Sequence, residues 1–82
     1  MKGGYKVDFL CKYICTRFVA FTDKESNKKV TGYITYVFNE STNEIIKCKM
    51  CENCPTNYSF GDECFITLVV NGHYAHYSFK NS

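Results

Sequence analysis

The chain has no tryptophan and one proline, Pro55, and its strongest helix formers are scarce: the alanines are Ala20 and Ala75 and the leucines are Leu10 and Leu68. A helix bundle draws on those residues, so that class is excluded. No apolar run approaches the ~20 residues that a membrane-spanning helix needs. Charge of one sign is also missing, because ten Lys and Arg stand against eight Asp and Glu for a net +2. That balance lacks the electrostatic footprint of a nucleic-acid binder and predicts a mixed, solvated surface. Met1-Lys2-Gly3-Gly4 leads directly into alternating sequence, without the apolar core of a leader peptide. Met1 is then either the start of a cytosolic protein or an initiator placed before a mature secreted chain.

Seven Tyr, seven Phe and six Cys fill the space left by these absences. Aromatic and β-branched residues suit the half-buried pleated surface of a sheet. At 82 residues the chain makes a single domain, 1–82, and a core of that size is marginal enough to need a staple. Six cysteines, an even number at high density, predict a disulfide framework and an oxidising, extracellular setting. Asn39-Glu40-Ser41 and Asn57-Tyr58-Ser59 are glycosylation acceptor sequences in expected loops, and they point the same way.

From Tyr5 to Thr22 two periodicities compete. Val7, Phe9, Cys11, Tyr13, Cys15, Val19 and Phe21 share one face with period two, whereas Val7, Leu10, Cys11, Ile14, Phe18 and Phe21 make a helical stripe. Composition favours a strand, with a short helix over residues 7–21, capped by Asp8, as the alternative. On a strand Cys11 and Cys15 would lie about 13 Å apart, too far to pair with each other. Both sulfurs are expected on the same surface.

The polar stretch Asp23–Lys29 separates this segment from the strand Val30–Phe38. Asn39–Asn43 turns the chain into a short partner strand, Glu44–Cys48. Beyond the cysteine-rich loop, Cys64–Val70 and His73–Phe79 flank Asn71-Gly72, which predicts a hairpin with a type I′ turn. The expected fold is mostly β: a small antiparallel sheet of four to five strands carrying one long cysteine-rich loop and stapled by disulfides.

Cys48, Cys51, Cys54 and Cys64 lie in that loop. Cys48-x-x-Cys51-x-x-Cys54 supplies three thiols where a structural Zn²⁺ needs four ligands, with Cys64, Cys11 or Cys15 as the fourth. The same spacing resembles part of a ferredoxin cluster motif, but Pro55 follows the third cysteine instead of a fourth. The disulfide reading stands first and implies no cofactor. Its connectivity stays open, since six cysteines allow 15 pairings. A redox-active pair is not expected, because no helix N-terminus lowers a thiol pKa there and Lys47 and Lys49 are the nearby cations.

His73 and His76, three apart on an expected strand, point to opposite faces and cannot share a metal. No nucleophile-base pair, phosphate-cradling loop or carboxylate pair stands out, so no enzyme is predicted. Tyr33, Tyr36, Tyr74 and Tyr77 serve either as an exposed recognition face or as core edges. The sequence therefore predicts a secreted module that binds another protein, as an inhibitor, toxin or effector. In its loop Met50, Pro55, Tyr58 and Phe60 are the expected contact residues, or else they fill the space beneath it. The alternatives are an intracellular zinc-binding adaptor and a nucleic-acid binder using Lys6, Lys12, Lys28, Lys29, Lys47 and Lys49. Nothing in the sequence sets an oligomeric state.

Overall fold

A computed structural model describes residues 4–55 and 57–80. They form five strands: β1 (Tyr5–Thr22), β2 (Lys29–Asn39), β3 (Glu44–Lys47), β4 (Glu63–Asn71) and β5 (Tyr74–Lys80). All pairs are antiparallel, in the order β3-β2-β1-β4-β5, and no helix occurs among the described residues. The N-terminal segment is a strand, as its Phe, Tyr, Ile, Val and Thr content favours. Asp8 caps nothing. Its carboxylate instead accepts hydrogen bonds from Thr67 Oγ1 at 2.6 Å and Lys80 Nζ at 2.7 Å, which hold it below the usual carboxylate range.

β1 organises the sheet. Residues 5–12 pair with β4 and residues 12–22 with β2. A straight strand of that length would span roughly 55–60 Å. The largest dimension of the molecule is 39 Å, so β1 must curl. The curl sits at a bulge: Tyr13 opposes Val37 and Cys15 opposes Tyr36, which leaves Ile14 as the extra residue. A bulge bends its strand and shifts the alternation of faces by one. Tyr13 points inward and so does Thr16, whose hydroxyl lies 2.6 Å from Tyr13 Oη and 2.9 Å from the hydroxyl of buried Thr35. Cys15 is turned outward and exposed while Cys11 is buried. The expectation that these two sulfurs share a surface is thereby corrected.

The curled sheet wraps a thin core of Cys11, Tyr13, Val37, Ile46, Cys48, Cys64, Ile66 and Phe79, with Phe9, Tyr58 and Tyr77 packed against it. Its two edges meet beyond β3. The Cys48 N–H donates to the Thr35 carbonyl, Cys51 and Tyr33 exchange two 2.8 Å bonds, and the Lys49 N–H donates to the Tyr77 carbonyl of β5 at 2.7 Å. The first part of the cysteine-rich loop thus continues β3 along β2 as an irregular strand.

Two turns repeat one device. Asn27 N–H bonds the Asp23 carbonyl and Asn43 N–H bonds the Asn39 carbonyl, each at 2.7 Å, and Asn27 and Asn43 both adopt left-handed φ. Asn tolerates that region better than most residues. The β4–β5 hairpin is where Asn71-Gly72 predicts it, but the turn differs. Asn71 pairs with Tyr74, the loop is Gly72-His73, and only Gly72 of the pair has positive φ, at 63°. Positive φ at the first central residue alone is the type II′ pattern, which requires glycine there. His73 therefore sits in the turn, while His76 lies half-buried on β5 with its Nδ1 lacking a hydrogen-bond partner.

Candidate functional site

The bulge and the returning loop together build an apolar groove on the outer side of the sheet. Lys12, Phe38 and Ile45 form one row across β1, β2 and β3, because Lys12 opposes Phe38 and Phe38 opposes Ile45. The bulge adds Ile14 to that row. On the other side of β1, a tight turn over residues 59–62 is fixed by Asp62 N–H to the Ser59 carbonyl and by Ser59 N–H to Asp62 Oδ2. The turn docks on β1 through two further bonds, Gly61 N–H to the Tyr13 carbonyl at 2.8 Å and Tyr13 N–H to the Asp62 carbonyl at 2.7 Å. Phe60 at its tip is thereby held beside Ile14.

The resulting groove has a volume of about 610 Å³ and is lined by Ile14, Phe38, Ile45 and Phe60 together with Lys12, Tyr13, Glu40 and Gly61. Phe60 is 81 % exposed and Ile45 68 % exposed. Lys12 pairs with Glu63 at 3.7 Å on the rim. The groove thus has an apolar floor with charges of both signs at or near its rim.

The four expected contact residues are distributed differently. Tyr58 is half-buried, stacked on Tyr13 at 5.5 Å and edge-on to Phe79 at 5.2 Å. Met50 is half-buried over Gly32, where an added Cβ would come within 2.7 Å of Met50 Cγ and 2.8 Å of the Cys51 carbonyl. Pro55 is half-buried, and Phe60 projects into the groove. Ile14, Phe38 and Ile45 escape sequence reasoning. The available signal was Ile14, an apolar residue out of phase with the odd-numbered stripe around it. Of the acceptor asparagines, Asn57 is exposed with left-handed φ, and the Asn39 side-chain carbonyl accepts a bond from Ser41 N–H. The six lysines named above are spread over β1, β2, β3 and two loops and gather on no single element.

A second cluster lies inside. Cys11 and Cys64 face each other across β1 and β4, and Cys48 is buried with them. Burial pushes all three thiols up, Cys48 to about 12 and Cys64 to about 11, and for those two the neighbouring thiols add to the effect. Thiols so disfavoured as thiolates are poor nucleophiles near neutrality. Cys15, Cys51 and Cys54 are exposed, and no Sγ–Sγ pair joins any of the six. Among the described residues no set of three or more His, Cys, Asp or Glu gathers with the geometry to hold a metal, and no helix is long and apolar enough to cross a membrane. The chain matches no protein-family model, no curated protein and no solved structure.

Proposed function

We propose that the chain is a secreted module, cross-linked by disulfides, that binds another protein through the groove beside Phe60 in the manner of an inhibitor, toxin or effector. The observation that carries this reading is the presentation of Phe60. A single exposed phenylalanine needs no explanation. Here, however, the aromatic ring stands on a turn fixed by four backbone-anchored hydrogen bonds and lines the same groove as exposed Ile45. A rigid aromatic with no internal partner loses little entropy on docking, and buried aromatics dominate binding energy at interfaces. The partner implied is a protein offering an apolar side chain to the groove and polar groups to Lys12, Glu40 and Glu63.

Capture from an extracellular fraction tests the reading when the wild-type chain and a Phe60→Ala variant are compared at matched stability. The expected result is a protein retained by the wild type and weakened by about 2 kcal/mol or more in the variant, the loss typical of a central anchor. Equal retention by both chains would place binding elsewhere. Tyr33, Tyr36 and Tyr74 on the sheet faces would then be the next positions to vary.

A further inference from the structure

We propose that Cys11 and Cys64 form the disulfide of the core and that Cys48, though buried beside them, stays a protected thiol. The proposal rests on the disulfide reading of the cysteines and departs from a full pairing of all six, because it leaves Cys48 unpaired. Strand register selects the pair. Cys11 and Cys64 are direct partners in the β1–β4 ladder, and opposed residues of an antiparallel pair have Cα atoms roughly 4.5–5.5 Å apart, inside the window that a disulfide spans. Both side chains are buried in the core, and the Cys64 thiol donates a hydrogen bond to the Cys11 carbonyl oxygen at 3.6 Å, which seats that sulfur against the Cys11 backbone. Cys48 has no cysteine opposite it. It lies past the end of β3, and its backbone bonds Thr35. Cys15 is excluded from the core because the bulge turns it to the outer face.

Formation of this bond requires a disulfide oxidant such as oxidised glutathione. One core thiolate attacks a glutathione sulfur and releases the first glutathione as thiolate. The second core thiolate then attacks the mixed disulfide and releases the other. Two protein thiols lose two protons and two electrons, and one oxidised glutathione becomes two reduced. Since both sulfurs are buried in the folded chain, the exchange takes place during folding or on opening of the β1–β4 pair.

Refolding the wild-type chain with oxidised and reduced glutathione, labelling free thiols before and after denaturation, and mapping the peptides by mass decides the matter. Cleavage after Lys12, Lys47 and Lys49 separates Cys11 from Cys48, and cleavage after Phe60 separates Cys64 from Cys51 and Cys54. The expected products are one linked pair of peptides containing Cys11 and Cys64, and a Cys48 peptide labelled only in denaturant. In a Cys48→Ser chain the same linked pair should persist. A bridge from Cys48 to either Cys11 or Cys64 in the wild type would overturn the assignment while leaving a disulfide-bonded module intact. Six labelled thiols after refolding would overturn the assignment and the disulfide reading together. Neither result bears on whether Phe60→Ala loses its partner.

Discussion

Gly32 shows how a single position can govern the closure of the sheet. Any Cβ there meets both a flexible methionine and the fixed carbonyl of Cys51. Met50 can swing away, but the carbonyl belongs to the Tyr33–Cys51 bridge and must shift. Gly32→Ala should therefore cost about 1–3 kcal/mol, the usual penalty of overpacking, measured by urea unfolding. Faster amide exchange at Cys51 and Lys49 should accompany it, because their bonds tie β2 and β5 together through this segment. Little of this is legible in the sequence, where Val30-Thr31-Gly32-Tyr33 reads only as a strand with one weak residue. Gly72 is different: glycine before His73 marks a hairpin in any register, and only the turn type depended on which two residues close it.

At the scale of elements, the bulge in β1 separates what sequence periodicity can give from what it cannot. The strands and their order along the chain follow from aromatic and β-branched runs between Asx-rich turns. The phase of β1 does not, because a period-two stripe assumes a regular strand and Ile14 adds a residue that resets it. The outward turn of Cys15 and the place of Ile14 in the groove both follow from that reset. If the extra residue matters more than its side chain, deleting Ile14 should destabilise the fold at least twice as much as Ile14→Ala. The truncation of a half-buried side chain is expected to cost about 1 kcal/mol. Equal losses in urea unfolding would mean that the bend in β1 arises from packing, not from the bulge.

For the whole molecule, three of the eight buried core residues are cysteines, which makes the stability of the reduced protein depend on pH. In the reduced protein an unfolded chain ionises its thiols near pH 9, whereas folded Cys64 and Cys48 hold their protons until about 11 and about 12. The folded state then binds more protons than the unfolded one, so stability is fully present below pH 9 and falls as pH rises toward 12. For Cys48 and Cys64 the slope approaches at most about 1.4 kcal/mol per pH unit each, and is smaller to the extent that water screens the thiolate. Urea titrations of reduced wild type and Cys48→Ser across pH 8 to 11 should differ by one such increment. A parallel pH dependence in the two chains would show that Cys48 is hydrated. Oxidation should remove the contributions of Cys11 and Cys64 and add about 4 kcal/mol from closing the long loop between them, by the chain-entropy estimate. The sequence announces that six cysteines matter to a small core. Their division into three inside and three outside is not encoded in the spacing: the bulge in β1 turns Cys15 out, while the pairing of the loop along β2 leaves Cys48 buried and Cys51 exposed.

The central claim is that two aromatic residues two positions apart serve opposite ends: Tyr58 holds the molecule together and Phe60 is left for a partner. Urea unfolding of Tyr58→Ala and Phe60→Ala under identical conditions tests it most directly. Tyr58 stacks on Tyr13 and meets Phe79 edge-on, so its loss should cost roughly 2–3 kcal/mol, somewhat less than a fully buried aromatic. Loss of the exposed Phe60 ring should leave stability within about 0.5 kcal/mol of the wild type. If Phe60→Ala destabilises the fold as much as Tyr58→Ala does, the ring is part of the core, and the groove beside it is not a free binding surface.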